Sequence, residues 1–122
     1  MLNKKILILD DDQNLLDVLS ILLTESGYDI QTLCTGESIF EEIQRFHPDL
    51  VLMDIMLGGM DGRLICKRIK AETDTIGLPV ILISGSHNLA ANLSEQGAPN
   101  DFMSKPFDLD LLVKKIENQL VA

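Results

Sequence analysis

Four stretches of this chain carry residue types that could do phosphoryl chemistry if brought together: Asp10-Asp11-Asp12, Asp54, Ser84-Gly85 and Ser104-Lys105-Pro106. Two or three carboxylates at one point repel each other unless a cation joins them. A hard divalent ion with oxygen ligands is the natural guest. Mg²⁺ keeps several waters and binds through one or two carboxylates plus phosphate, and Mn²⁺ is the alternative. One carboxylate can then act as a nucleophile toward phosphorus. A transferring phosphoryl group spreads charge over three oxygens, which call for an ammonium, a hydroxyl and a backbone N–H around them. Lys105, the Ser84 hydroxyl and the Gly85 N–H are of those types. Asp54 resists any bland explanation. It directly follows Leu-Val-Leu-Met, and a carboxylate at the end of a buried strand is costly without a partner.

Each stretch needs an element to deliver it. Ile6-Leu7-Ile8-Leu9 is a continuous apolar run, as for a strand buried on both faces, and it stops at the three aspartates. Asp12 caps a helix with Leu15, Leu16, Leu19, Leu22 and Leu23 on its inner stripe, and Gly27 sits where a left-handed residue closes it. Residues 29–33 read as a second strand. Residues 37–46 read as a helix with Ile39, Phe40, Ile43 and Phe46 on one face, ended by Pro48. Residues 50–53 form a third buried strand running into Asp54. A loop with Gly58, Gly59 and Gly62 follows, then a helix over 63–71 with Leu64, Ile65 and Ile69 apolar. Residues 79–84 give a fourth strand, 88–96 a weaker helix and 101–104 a short fifth strand. Asp108 caps a last helix with Leu109, Leu112, Val113, Ile116 and Leu120 inward. Five β-α units in a row need right-handed crossovers, which put helices on both faces of one parallel sheet. The expected class is α/β, doubly wound, with five parallel strands. Such sheets bind ligands beyond the carboxyl ends of their strands, where all four stretches fall.

The length, 122 residues, fits a single domain over 1–122. Aromatics are 4% with no Trp, so the core must be built from Leu, Ile, Val and Met. Ten Lys and Arg against 19 Asp and Glu leave a net charge of −9, which repels nucleic-acid backbones and anionic membranes. Cys34 and Cys66 share no ligand spacing with each other or with His47 and His87, and read as reduced, semi-buried thiols. The first apolar run stops at the aspartates rather than extending as a signal peptide, and no stretch approaches the roughly 18 apolar residues of a membrane span. The expected compartment is the cytoplasm.

Taken in order, Ile6 to Asp12, Leu50 to Leu57 with Gly59-Met60-Asp61-Gly62, Val80 to Ser84, and Asp101-Phe102-Met103-Ser104-Lys105-Pro106-Phe107 resemble the receiver domains of two-component response regulators. The resemblance covers essentially the whole chain and implies a CheY-like, flavodoxin-like (βα)5 fold. It implies a signalling switch rather than a turnover enzyme. Asp54 would be the phosphoacceptor. Asp11 would bind Mg²⁺ directly and Asp10 through water, with Asp54 and the Met56 backbone carbonyl completing the metal contacts. Backbone groups of Met56 and Gly85 would face the phosphoryl group. Lys105 would pair with a phosphoryl oxygen and precede a cis bond to Pro106. Ser84 would bond the phosphoryl group and, with the inward-swinging Phe102, form the switch. The implied partners are a histidine kinase or phosphotransfer protein and a downstream protein or fused output domain. A homodimer would use the face made by the fourth helix, fifth strand and fifth helix.

Some positions depart from the family's pattern. Gly58 stands where Pro is common, predicting a more flexible loop. Gly85 replaces a common Ala, widening the space near Ser84. Pro99-Asn100 lies in a segment of variable composition. Met56, bulky and apolar, sits where the family tunes hydrolysis of the acyl phosphate and is expected to hinder the attacking water. Plainer roles suit other residues. Asp12 and Asp61 read as helix caps or turn residues, His47 and His87 as surface groups, and Met53, Met56, Met60 and Met103 as packing residues. Rival functions fit less well. A haloacid-dehalogenase-type phosphatase would use Asp10 and Asp12 but needs Gly-Thr where Gln13-Asn14 stand, and a cap domain. A flavin-binding module would find its phosphate repelled by three aspartates. A phosphorylation-independent binding module would leave the complete set of site residues unused.

Overall fold

The computed structural model describes residues 3–85 and 97–121. Strand β1 (Lys5–Leu9) is buried from Ile6 onward, β2 (Asp29–Leu33) is half-buried at the sheet edge, and β3 (Leu50–Asp54) is buried throughout. A two-stranded hairpin follows, β4 (Met56–Leu57) against β5 (Met60–Asp61), and the sheet resumes with β6 (Val80–Ser84) and β7 (Asp101–Ser104). The five-stranded sheet has the order β2-β1-β3-β6-β7 with every pairing parallel. The order reverses between β1 and β3, so the crevice of a doubly wound sheet opens at the ends of these two strands, at Asp10 and Asp54.

Strand alternation divides the core in two. Ile6, Ile8, Leu50, Leu52, Ile81 and Ile83 point to one face, where Leu16, Leu19 and Leu23 of α1 (Gln13–Glu25) and Leu112 and Ile116 of α4 (Leu109–Leu120) cover them. Leu7, Leu9, Val51, Met53, Val80 and Leu82 point to the other, covered by Ile39 and Ile43 of α2 (Ile39–Phe46) and Ile65, Cys66 and Ile69 of α3 (Gly62–Ala71). Neither cluster of buried residues contains an aromatic, as the composition required. Phe40, Phe46, Phe102, Phe107 and Tyr28 pack at the margins. Each fully buried Leu or Ile contributes roughly 1.5–3 kcal/mol relative to exposure.

The caps follow the local sequence. The Asp12 carboxylate accepts from the N–H groups of Asn14 and Leu15, Asp61 accepts from Arg63 N–H, and Asp108 accepts from Asp110 N–H. Gly27, at φ 100°, follows the C-cap Ser26. His47 ends α2 in the left-handed region at φ 54° and is exposed.

Several expectations need correction. The stretch after Asp54 is the β4–β5 hairpin, not a loop, and Gly58 and Gly59 take the two positive φ values, 53° and 101°, that a tight two-residue turn requires. Gly58 therefore sits at the tip of a defined turn. Gly62 is the first residue of α3, and α2 starts two residues later than expected, because residues 37 and 38 are taken up in a turn in which Ile39 N–H donates to the Gly36 carbonyl at 3.3 Å. Leu64 is 64% exposed, facing away from the core. Neither thiol is semi-buried: Cys34 is exposed and Cys66 is fully buried. Met53 and Met103 are core residues, but Met56 is 72% exposed and Met60 38%. The helix expected over 88–96, and His87, lie outside the described residues.

Candidate functional site

Three carboxylates meet at the switch point. Asp10, Asp11 and Asp54 each offer an oxygen, and these oxygens lie within 4.8 Å of one another. The first two arrive because β1 ends at Leu9, and Asp10 N–H is tied to the Leu33 carbonyl of β2 at 3.1 Å. Asp54 is the last residue of β3. Asp10 and Asp54 are buried, at 1% and 5% exposure, while Asp11 opens to solvent. The Asp10 Oδ1 accepts from Asp12 N–H at 2.9 Å, and Asp54 Oδ1 accepts from Met56 N–H at 3.3 Å. Gly58, at the hairpin tip, runs beside Asp11.

Lys105 joins the cluster from the far side of the sheet. Its N–H donates to the Ser84 carbonyl at 2.7 Å, which locks the end of β7 to the end of β6. Its Nζ then reaches Asp54 Oδ2 at 3.1 Å and Asp10 Oδ2 at 3.3 Å. The peptide bond from Lys105 to Pro106 is cis, as the resemblance implied. Ser84 is buried at the end of β6, opposite Ser104 in register, and Gly85 beyond it is exposed. Phe102 is half-buried on β7 against the core cluster of α2 and α3.

The electrostatics match a site built for a cation. Burial pushes the Asp10 carboxyl above its ordinary 3.8; the Asp12 N–H opposes this, and the neighbouring Asp54 charge reinforces it. Burial alone would lower the Lys105 ammonium, but its hydrogen bond to Asp54 and the charges of Asp10 and Asp54 outweigh that and hold it above 10.5. Three hard oxygen donors with one ammonium suit a divalent ion such as Mg²⁺, which tolerates few protein ligands and retains water. The cluster can therefore hold a metal, with Asp11 on the solvent side as the way in. Among the described residues no buried side-chain nitrogen or oxygen lacks a hydrogen-bond partner.

The structure thus gathers Asp10, Asp11 and Asp54, pairs Lys105 with Asp10 and Asp54, sets Ser84, Gly85 and Met56 at the same edge, and places Phe102 two strand positions before the end of β7. The hairpin that carries Met56 was missed, although the Gly58-Gly59 pair between apolar residues is a turn signal. Gly62, packed under the backbone of Asp54, had only its place in a Gly-rich stretch to mark it.

Comparison with known proteins agrees with this geometry. The chain is 29% identical over 120 residues to the DNA-binding response regulator MtrA of Mycolicibacterium smegmatis, covering 98% of this chain and 51% of that protein. It is 31% identical over 114 residues to the DNA-binding dual master transcriptional regulator RpaA of a Synechocystis species, covering 92% and 47%. The chain spans about half the length of these curated relatives. Among solved structures, a putative response regulator from Chloroflexus aurantiacus superposes with a TM-score of 0.88 at 29% identity, covering 98% of both chains. The BeF3-activated receiver domain of Klebsiella pneumoniae RstA gives 0.86 at 26% identity, covering 98% of this chain and 100% of that one. Residues 6–117 match the response regulator receiver domain, and with its acidic cluster at the switch point of a five-stranded parallel sheet the chain belongs to that family, whose general function is a phosphoacceptor switch in two-component signalling.

Proposed function

We propose that Asp54 is the residue that takes the phosphoryl group. The observation that carries this reading is the buried Asp54 carboxylate held 3.1 Å from Lys105 Nζ within a cluster of three acids. In the step, an Asp54 oxygen forms a bond to phosphorus as the phosphorus–nitrogen bond of a phosphohistidine breaks. The leaving imidazole keeps the electron pair and takes a proton from solvent. Lys105 neutralises one phosphoryl oxygen, and the Ser84 hydroxyl and Gly85 N–H serve the others. Asp10, Asp11, Asp54 and the Met56 carbonyl would hold Mg²⁺, or Mn²⁺ in its place. Bound there, the ion supplies charge neutralisation to the phosphoryl oxygens.

The burial of Ser84 at the end of β6 and the marginal packing of Phe102 on β7 support a switch in which the phosphoryl group draws Ser84 inward and Phe102 follows. On this reading the chain is a signalling switch rather than a turnover enzyme. Its donor is a histidine kinase or phosphotransfer protein, and its output is a downstream protein or a fused domain, with homodimerisation through β7, α4 and the helix expected over 88–96, outside the described residues, as one readout. The net charge of −9 favours protein partners over direct contact with nucleic acid or membrane. No helix among the described residues is long and apolar enough to cross a membrane. The cytoplasmic location is part of the proposal and is supported by the receiver-domain family match.

Intact mass after incubation with acetyl phosphate and Mg²⁺, for wild type and Asp54→Ala, tests this reading. A gain of one phosphoryl group in the wild type alone, abolished by chelator, is the expected result. No gain in the wild type would overturn it.

A further inference from the structure

The acidic site depends on where β3 stops and the hairpin begins, and one residue outside the site governs that point. Ile55 lies between Asp54 and Met56. Its N–H donates to the Ile83 carbonyl of β6 at 3.0 Å, and its carbonyl accepts from Gly62 N–H at 2.8 Å. The peptide that joins the acceptor to the hairpin is therefore pinned on one side by the sheet and on the other by the first residue of α3. Gly62 is buried and is not in the left-handed region, so its backbone angles do not demand glycine. Space does. A Cβ at position 62 would lie against the Asp54 carbonyl oxygen, closer than real contacts allow, and 3.0 Å from Ile55 Cα. Both obstacles are backbone atoms that no rotamer change can move. The other glycines of this stretch differ: Gly59 has open surroundings, and Gly58 would make only an ordinary contact, 3.7 Å from Asp11 Oδ2.

We infer that Gly62 is a positioning residue for the acidic site. By letting the N-terminus of α3 press onto the Asp54–Ile55 backbone, it sets the point from which the Asp54 carboxylate turns toward Asp10 and Asp11 and from which the Met56 backbone returns over it. A methyl group at 62 must push Asp54 or α3 away, and a carboxylate cluster built to within 4.8 Å loses its convergence when one member shifts. This rests on the reading of Asp10, Asp11 and Asp54 as a divalent-cation site. It adds that a residue touching neither cation nor phosphate, through its lack of a side chain, decides the affinity of that site.

The test is Mg²⁺ affinity by isothermal titration calorimetry for wild type, Gly62→Ala and Gly59→Ala. The Gly59 variant strains a positive-φ turn without meeting any atom, so it controls for general loss of stability. Gly62→Ala is expected to bind Mg²⁺ roughly tenfold more weakly, the effect of disturbing a ligand's support, with Gly59→Ala near wild type. Equal affinity in a folded Gly62→Ala protein, or an equal loss in Gly59→Ala, would overturn the inference. Amide hydrogen exchange of the wild type decides the matter even where Gly62→Ala does not fold. The Gly62 N–H is expected to exchange more slowly as Mg²⁺ saturates, in step with the shifts of Asp11 and Met56. A Gly62 amide indifferent to Mg²⁺ while those shift would refute it. A wild type that binds no Mg²⁺ at all would instead remove the cation reading, and the inference with it.

Discussion

Lys105 Nζ lies 3.1 Å from Asp54 Oδ2, although 51 residues of chain separate them. The contact exists because β7 pairs with β6 and β6 with β3, with Lys105 N–H bonded to the Ser84 carbonyl at the last rung. The same ammonium touches Asp10 at 3.3 Å and so holds two buried carboxylates together. Removing it leaves both without their cation. Lys105→Met is expected to slow phosphorylation by acetyl phosphate on the order of 10²-fold, the scale for losing one group that stabilises transition-state charge. It should also lower apo stability by about 1–2 kcal/mol, a buried-pair loss discounted for an ammonium side chain that is 28% exposed. Rates by intact mass and urea midpoints check the two parts separately.

Asp10 makes the apo protein sensitive to pH. Its folded carboxyl is raised above 3.8, mainly by burial, so the folded state holds a proton that the unfolded state has released. Its contribution to stability is therefore fully present below about pH 4 and is lost as pH rises through the folded value. Asp10→Asn keeps an acceptor for Asp12 N–H and removes the charge. The variant is expected to match wild type near pH 4 and to be more stable at pH 7 by on the order of 1 kcal/mol. Urea unfolding of both proteins at the two pH values is the check, and a wild type that is the more stable at pH 7 would contradict it.

The two thiols should react differently. Cys34 is exposed, whereas Cys66 is buried on the inner side of α3 and burial pushes its thiol up to about 11. A thiol-specific reagent at pH 8 is expected to modify one cysteine in the native protein, identified by peptide mapping as Cys34, and both in denaturant. The neutral Cys66 thiol supports the fold up to the ordinary value of 9.0, and that support fades as pH climbs through about 11.

Adjacent residues of α3 face opposite ways. Ile65→Ala should cost about 2–4 kcal/mol, since Ile65 is 6% exposed in the core, while Leu64→Ala should change stability by less than about 0.5 kcal/mol, since Leu64 is 64% exposed. Asp61→Ala removes the cap on Arg63 N–H and should cost about 1 kcal/mol. Denaturant midpoints rank the three.

Met56 is 72% exposed, and its backbone N–H bonds the Asp54 carboxylate, so on the proposed reading its apolar side chain is a candidate shield of the acyl phosphate from water. Met56→Asn is expected to shorten the phospho-protein lifetime several-fold without changing the fold. An unchanged lifetime would deny the side chain any shielding role.

The elements were legible in the sequence wherever a single physical cause acts locally. Apolar runs such as Val80-Ile81-Leu82-Ile83 are buried on both faces, and a carboxylate before a helix caps it at Asp12, Asp61 and Asp108. The acids and the lysine could be named because each stands at a strand end, where a doubly wound sheet collects its ligands. Tertiary structure decided the rest. That Lys105 bonds Asp54 and Asp10 together follows from strand order, which no local run encodes. That Leu64 turns outward while Ile65 turns inward follows from how α3 lies on the sheet. That Gly62 must lack a side chain follows from the approach of one backbone to another across the end of β3, a distance that is set only when the chain has folded.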